Sequence, residues 1–205
     1  MKIQSNAWNR VRYTALAPLY DRVVRFGPAR KRSVELLALQ PRDRVLIPGC
    51  GTGADLPFLP AGVAVVAGDI TPAMVRRTRA RAGRLGREID ARTMDAADTD
   101  LPDASFDAVI LHLILAVIPD PVGCIREAER VLRPGGRIIV LDKWVPDGAR
   151  ASPLRRFANV FARAVATELT RSLGPLVAET ELAVEHREPA GPFALFEIAL
   201  LRKPA

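Results

Sequence analysis

From residue 44 onward, short apolar runs alternate with longer stretches in which apolar residues recur at helical spacing. Arg44 to Ile47 follows the turn Gln40-Pro41-Arg42-Asp43, and Val63 to Ala67 is a second run of the same kind. Ala91 to Met94 is short and more polar, while Phe106 to Leu111 and Arg137 to Leu141 are longer and apolar. Helical stretches fall between them, at about 54 to 58, 72 to 86 and 121 to 132. Buried strands that alternate with helices predict an α/β domain with a doubly wound, Rossmann-like, mostly parallel sheet.

The two ends depart from this rhythm. Residues 7 to 39 read as one or two helices broken near Gly27-Pro28, with Trp8, Val11, Ala15 and Leu19 on a shared face. We expect residues 1 to 43 to form a helical lid over a core of residues 44 to 205, all within one domain. Residues 151 to 182 carry helical patterning, and two closing strands follow near Ala183 to Arg187 and Phe193 to Leu201. The turn Pro189-Ala190-Gly191-Pro192 between them predicts an antiparallel pair, which completes a seven-stranded sheet.

A chain of 205 residues suits one domain with a substantial core. Its apolar runs stay well short of the ~18 residues that suggest a spanning helix. The start, MKIQSNAWNR, lacks the apolar run of a secretory signal, so we expect a cytoplasmic protein and a monomer. Cys50 and Cys124 have neither paired spacing nor a histidine neighbour, which argues against a metal site or a disulfide framework. The charge is more informative. Residues 1 to 44 hold ten basic side chains against three acidic ones, and so carry the whole net charge of +7. With Trp8, Tyr13, Tyr20 and Phe26 interleaved, that segment suits an anionic lipid surface first and nucleic acid second. A solubilising arginine-rich face explains the same residues equally well.

The strongest chemical signal is Val45-Leu46-Ile47-Pro48-Gly49-Cys50-Gly51-Thr52-Gly53, a strand running into three glycines at alternate positions. Such a loop lets a ligand lie against bare backbone and offers the amides of a following helix. The second strand ends in Gly68-Asp69, where an acidic side chain takes a ribose diol.

With these residues the chain resembles the class I S-adenosylmethionine-dependent methyltransferases. Further similarities are Gly68-Asp69-Ile70-Thr71-Pro72-Ala73-Met74, Met94-Asp95-Ala96 with Ser105-Phe106-Asp107, and Arg130-Val131-Leu132-Arg133-Pro134-Gly135-Gly136-Arg137. The resemblance implies S-adenosylmethionine as cofactor. It places Gly49, Cys50, Gly51 and Gly53 along the methionine portion and adenosyl sugar, and Asp69 on the ribose. Ile70 and Met74 would pack beside the adenine, Asp95 and Ala96 would read its edge, and His112 would face the methyl donor. Pro48 replaces the acidic residue usual before the first glycine, which leaves the anchor of the methionine end unassigned.

The opening Tyr13-Thr14-Ala15-Leu16-Ala17-Pro18-Leu19-Tyr20-Asp21 and the segment Val117-Ile118-Pro119-Asp120-Pro121 are similar to bacterial phospholipid N-methyltransferases. Quinone-biosynthesis methyltransferases share the first pattern. The resemblance implies phosphatidylethanolamine as acceptor, with peripheral contact to anionic membrane, and Tyr20 closing over the cofactor. A soluble small molecule or quinone precursor is the alternative, and an RNA-binding methyltransferase is the least favoured reading. Tyr20, His112 and Asp142 are the candidate proton acceptors, although His112 in Leu111-His112-Leu113-Ile114-Leu115 suits a core histidine as well. The arginines at 76, 77, 79, 81, 84 and 87 read as a solvated helix face.

Overall fold

The computed structural model describes Asn6, Arg10, Thr14 and residues 26–145, 170–190 and 196–205. Seven strands form one sheet: β1 (Arg44–Pro48), β2 (Ala64–Asp69), β3 (Asp90–Thr93), β4 (Phe106–His112), β5 (Leu132–Lys143), β6 (Ala183–Ala190) and β7 (Phe196–Arg202). Their order is β3-β2-β1-β4-β5-β7-β6. The first five are parallel, and β7 runs antiparallel to both β5 and β6. This is the α/β architecture expected from the alternation of elements, with β7 as the reversed strand.

Period-two alternation divides the strand residues between two cores. Val45, Ile47, Ala108, Ile110, Ile139 and Leu141 face one side, where Val34 of α1 (Gly27–Leu36) and Val75 and Ala82 of α2 (Pro72–Arg84) cover them. Leu46, Val109, Leu111, Ile138 and Val140 face the other, beneath Cys124, Ile125 and Ala128 of α3 (Pro121–Val131) and Leu176 and Val177 of the short α4 (Gly174–Val177). Burial on both faces explains why the central strands read as continuous apolar runs.

Prolines at the first turns of α1, α2 and α3 start these helices where a missing amide costs little. Gly27-Pro28 thus begins a helix at the predicted break. Between β1 and β2 the expected helix is a single 3₁₀ turn, Leu56–Phe58, so the glycine loop feeds no long helix dipole. The β5 strand starts earlier than expected, because Leu132 pairs with Phe106 before a register shift and Ala108 then pairs with Arg137.

Of the proposed lid, Thr14 Oγ1 donates to the Arg10 carbonyl one helical turn back, and Arg10 Nε donates to the Ile70 carbonyl. Trp8, Tyr13, Tyr20 and residues 151–169 lie outside the described residues. No helix among the described residues is long and apolar enough to cross a membrane. Arg76, Arg77, Arg79 and Arg84 are exposed, as a solvated face requires, while Arg81 and Arg87 are half-buried. Arg79 donates to the Ala91 carbonyl, Arg81 to Thr52 Oγ1 and Arg87 to the Leu59 and Pro60 carbonyls.

Glu127 clamps the loop after β3. Its carboxylate accepts from the amide and hydroxyl of Thr99 and from Arg130, which also reaches Asp103 and the Leu101 carbonyl. Burial alone would raise the Glu127 pKa, but the bonds from Arg130 and Thr99 outweigh it and hold the group down at about 2. A depressed carboxylate stabilises the fold fully above its unfolded value, ~4.3, and loses that contribution as pH falls through its folded one. Melting of the parent should therefore drop more steeply below about pH 5 than melting of Glu127→Gln. Parallel acid limbs in a calorimetric pH series would exclude this clamp.

Candidate functional site: a cleft at the strand C-termini

Because the chain winds outward in both directions from β1, a crevice opens where β1 and β4 end, the place at which such sheets take ligands. A half-enclosed cleft lies there. The glycine loop contributes Gly49, Cys50 and Gly51, the end of β2 Asp69 and Ile70, α2 Met74, the end of β3 Asp95 and Ala96, and β4 His112. Elements far apart in sequence thus bring together the predicted cofactor residues except Gly53, which is outside the lining, and Tyr20, which lies outside the described residues.

Each glycine of the loop has a separate physical reason. Gly49 has φ +74°, and a Cβ there would stand 2.3 Å from Ile114 Cδ1, so the loop after β4 can close over it only in the absence of a side chain. Gly51 has φ +55°, and a Cβ would meet nothing within 4 Å, since it would point into the open cleft. Gly53 packs behind, where a Cβ would lie 3.2 Å from the Thr78 backbone of α2.

Asp69 orients this loop as well as facing the cleft. Its carboxylate accepts from the Gly51 amide (3.0 Å) and the Thr71 amide (2.8 Å). Burial raises its pKa, offset in part by those amides. The Gly51 amide is therefore committed to Asp69, and the loop offers a ligand space and shape more than donors. Asp95 accepts from the Ala97 amide at 3.0 Å and from Asn6 Nδ2 at 2.5 Å, which brings Asn6 to the cleft's edge. Cys50 is inert, its thiol pushed up to about 12 mainly by burial.

At the opposite end, Arg30 of α1 and His112 meet at a carboxylate that sequence reasoning missed. Asp55, 2% exposed, lies 2.5 Å from Arg30 Nη1 and 2.7 Å from His112 Nδ1. His112 Nε2 lies 2.9 Å from Ser33 Oγ. Burial pushes the His112 pKa down despite the opposing pull of Asp55, and Nδ1–H donates to the Asp55 carboxylate. Arg30 and His112 hold Asp55 below the usual carboxylate range even though burial opposes ionisation. His112 lines the cleft, and its two nitrogens are engaged as those of a core histidine would be.

Asp142, the other described candidate acceptor, stands behind the cleft and not in its lining. It is fully buried and accepts from the Ala116 and Lys143 amides. Together with Arg171, which donates to the Leu115 and Ile118 carbonyls, it supports the loop from Leu113 to Ile118 from beneath. That loop, with Leu113 at φ +59°, supplies the apolar wall Leu113, Ile114, Val117 and Ile118.

The methyltransferase domain family model matches residues 46–140. A phosphatidylethanolamine N-methyltransferase of Cereibacter sphaeroides is 30% identical over 155 residues, covering 75% of this chain and 76% of that protein. The chain belongs to the methyltransferase family. The 2-phytyl-1,4-naphtoquinone methyltransferase of Synechococcus elongatus is 35% identical to this methyltransferase over 188 residues, covering 85% and 76%. Among solved structures, the [4+2]-cyclase SpnF superposes with a TM-score of 0.80 at 18% identity, over 98% of this chain and 97% of that one, which shows a shared fold.

S-adenosylmethionine is the cofactor, and the cleft fits it: a bare glycine turn facing open space, a buried carboxylate beside it and a second carboxylate beyond. Gly51→Val should abolish S-adenosylhomocysteine binding, because its side chain fills the space the ligand needs. Asp69→Ala should weaken that binding by about 1.5 to 3 kcal/mol, the scale for hydrogen bonds to a charged group. Calorimetry that finds parental affinity in either variant would move the ligand out of this cleft.

Proposed function

We propose that the protein methylates the amine of phosphatidylethanolamine and its partly methylated products at a membrane surface. The apolar wall Leu113, Ile114, Val117 and Ile118 carries this reading. It suits a headgroup arriving on acyl chains better than a charged, freely diffusing metabolite. Two further points support it: the basic N-terminal segment, which an anionic leaflet attracts by ~1 kcal/mol per cation, and the named activity of the Cereibacter relative.

Transfer from a sulfonium is an in-line displacement, so alignment within the cleft does most of the work and is worth ~7 to 11 kcal/mol. An ammonium acceptor with a pKa of ~10 must lose its proton first. Of the candidate acceptors, His112 is the described side chain on the cleft wall, and it could take the proton only after Ser33 releases Nε2. Tyr20 would close over the donor from the N-terminal segment. The Synechococcus relative favours a second reading, an apolar quinone precursor entering by the same wall.

The membrane test has to avoid Arg30 and Arg32, since Arg30 pairs with Asp55 and Arg32 forms a two-pronged bond with Glu188. With labelled S-adenosylmethionine and vesicles of phosphatidylethanolamine and phosphatidylglycerol, label should enter the lipid, and added salt should reduce both binding and rate. Exchanging Lys2, Arg12, Arg22 and Arg25 for Gln should release the protein from vesicles without changing affinity for S-adenosylhomocysteine. Label that enters a demethylated naphthoquinone and never the lipid would reject phosphatidylethanolamine and establish the quinone reading.

A further inference from the structure

The inner side of α2 packs on the sheet through Met74, Val75, Thr78 and Ala82, while Arg76, Arg77, Ala80, Gly83 and Arg84 are exposed. At 3.6 residues per turn these five positions share one side of the helix, with Arg76 and Arg84 about 12 Å apart along its axis. The helix holds five arginines and no acidic residue, so no pair along it offsets their charge. Arg79 and Arg81 spend donors on the Ala91 carbonyl and the Thr52 hydroxyl. Among the described residues, none bonds to or pairs with Arg76, Arg77 or Arg84. Like charges crowded in this way repel one another, a cost that an anionic partner removes.

Two neighbours extend the face. Leu85, the C-cap residue beside Arg84, is 42% exposed, an unusual position for a large apolar side chain among the described residues. At the other end the exposed Arg10 donates to the Ile70 carbonyl, two residues before the helix starts. A cation of the N-terminal segment thus adjoins α2. Met74, on the inner side of the same helix, lines the cleft.

We propose that this outer face of α2 rests on an anionic phospholipid leaflet and holds the cleft at the membrane, an inference that rests on the membrane reading of the function. Guanidinium groups bind phosphate oxygens through paired bonds. Ala80 is short, and a Cβ added to Gly83 would meet nothing within 4 Å, so neither obstructs the arginines from reaching a flat array of phosphates together. Leu85 enters the boundary between headgroups and acyl chains. Nucleic acid fits less well, since α2 has no aromatic side chain on which a base could stack.

Sedimentation with vesicles of phosphatidylcholine and phosphatidylglycerol reads docking apart from methylation, because they contain no phosphatidylethanolamine. Exchanging Arg76, Arg77 and Arg84 for Gln should weaken binding about tenfold to a hundredfold and make the remainder less sensitive to salt. A control that exchanges Arg126, Arg133 and Arg187, exposed arginines outside α2, loses the same net charge and should stay within about threefold of the parent. Both variants should keep parental affinity for S-adenosylhomocysteine. Leu85→Ser should weaken vesicle binding about fivefold and leave its salt dependence unchanged. Equal losses in the two triple variants, or a parent that ignores these vesicles at low salt, would overturn the proposal. So would an α2 variant that loses RNA in gel shifts while its vesicle binding stays parental. Label that enters a naphthoquinone and not the lipid would reject phosphatidylethanolamine as acceptor without touching the sedimentation result, so the two readings fail separately.

Discussion

A carboxylate with almost no access to water organises the reactive end of this molecule. Asp55 could not remain ionised at 2% exposure without partners, and it recruits Arg30 from α1 and His112 from the end of β4. Its position two residues after Gly53 ties the glycine loop into the same junction. Three segments that approach from different layers of the fold thereby share one anchoring oxygen. The lowered imidazole pKa and the paired guanidinium are consequences of that junction, where burial outweighs the pull of Asp55 on the ring.

Comparable supports hold the rest of the cleft. Asp69 couples the glycine turn to the start of α2, Asp142 and Arg171 brace the wall after β4, and Glu127 with Arg130 fixes the loop after β3. In each case a charged side chain satisfies loop backbone amides or carbonyls that no strand or helix pairs. The loops at the strand ends can therefore be shaped for a ligand while the sheet beneath stays regular. Apolar packing on both sheet faces supplies the rigid base, as the alternation of β1, β4 and β5 between two cores shows.

Charge in this chain is a poor guide to its surface. The triplet Arg30-Lys31-Arg32 looks like a cationic patch, yet Arg30 is buried in an ion pair, and Arg32 bonds Glu188 of β6, 156 residues away. The arginines of α2 are mostly exposed, yet Arg79 bonds the Ala91 carbonyl and Arg81 the Thr52 hydroxyl. A long guanidinium can bury its stem and spend its donors inward, so a count of arginines overstates what remains for an anionic partner.

The order of strands and helices, the glycine turn, Asp69 and Asp95 were legible in the sequence because each rests on a local pattern: period-two burial, alternate glycines, or an acidic residue ending a strand. The 3₁₀ turn after the loop was not, since Leu56-Pro57-Phe58 is too short for periodicity to separate it from a helix. The roles of Arg30, Asp55, Asn6 and Asp142 needed the tertiary structure. Their partners lie 25, 57, 89 and 26 residues away, and no local spacing records which distant groups a fold will bring together. His112 shows the division most clearly: the sequence placed it at the end of a buried strand, and only the packing of α1 and Asp55 around it decided that both ring nitrogens would be occupied.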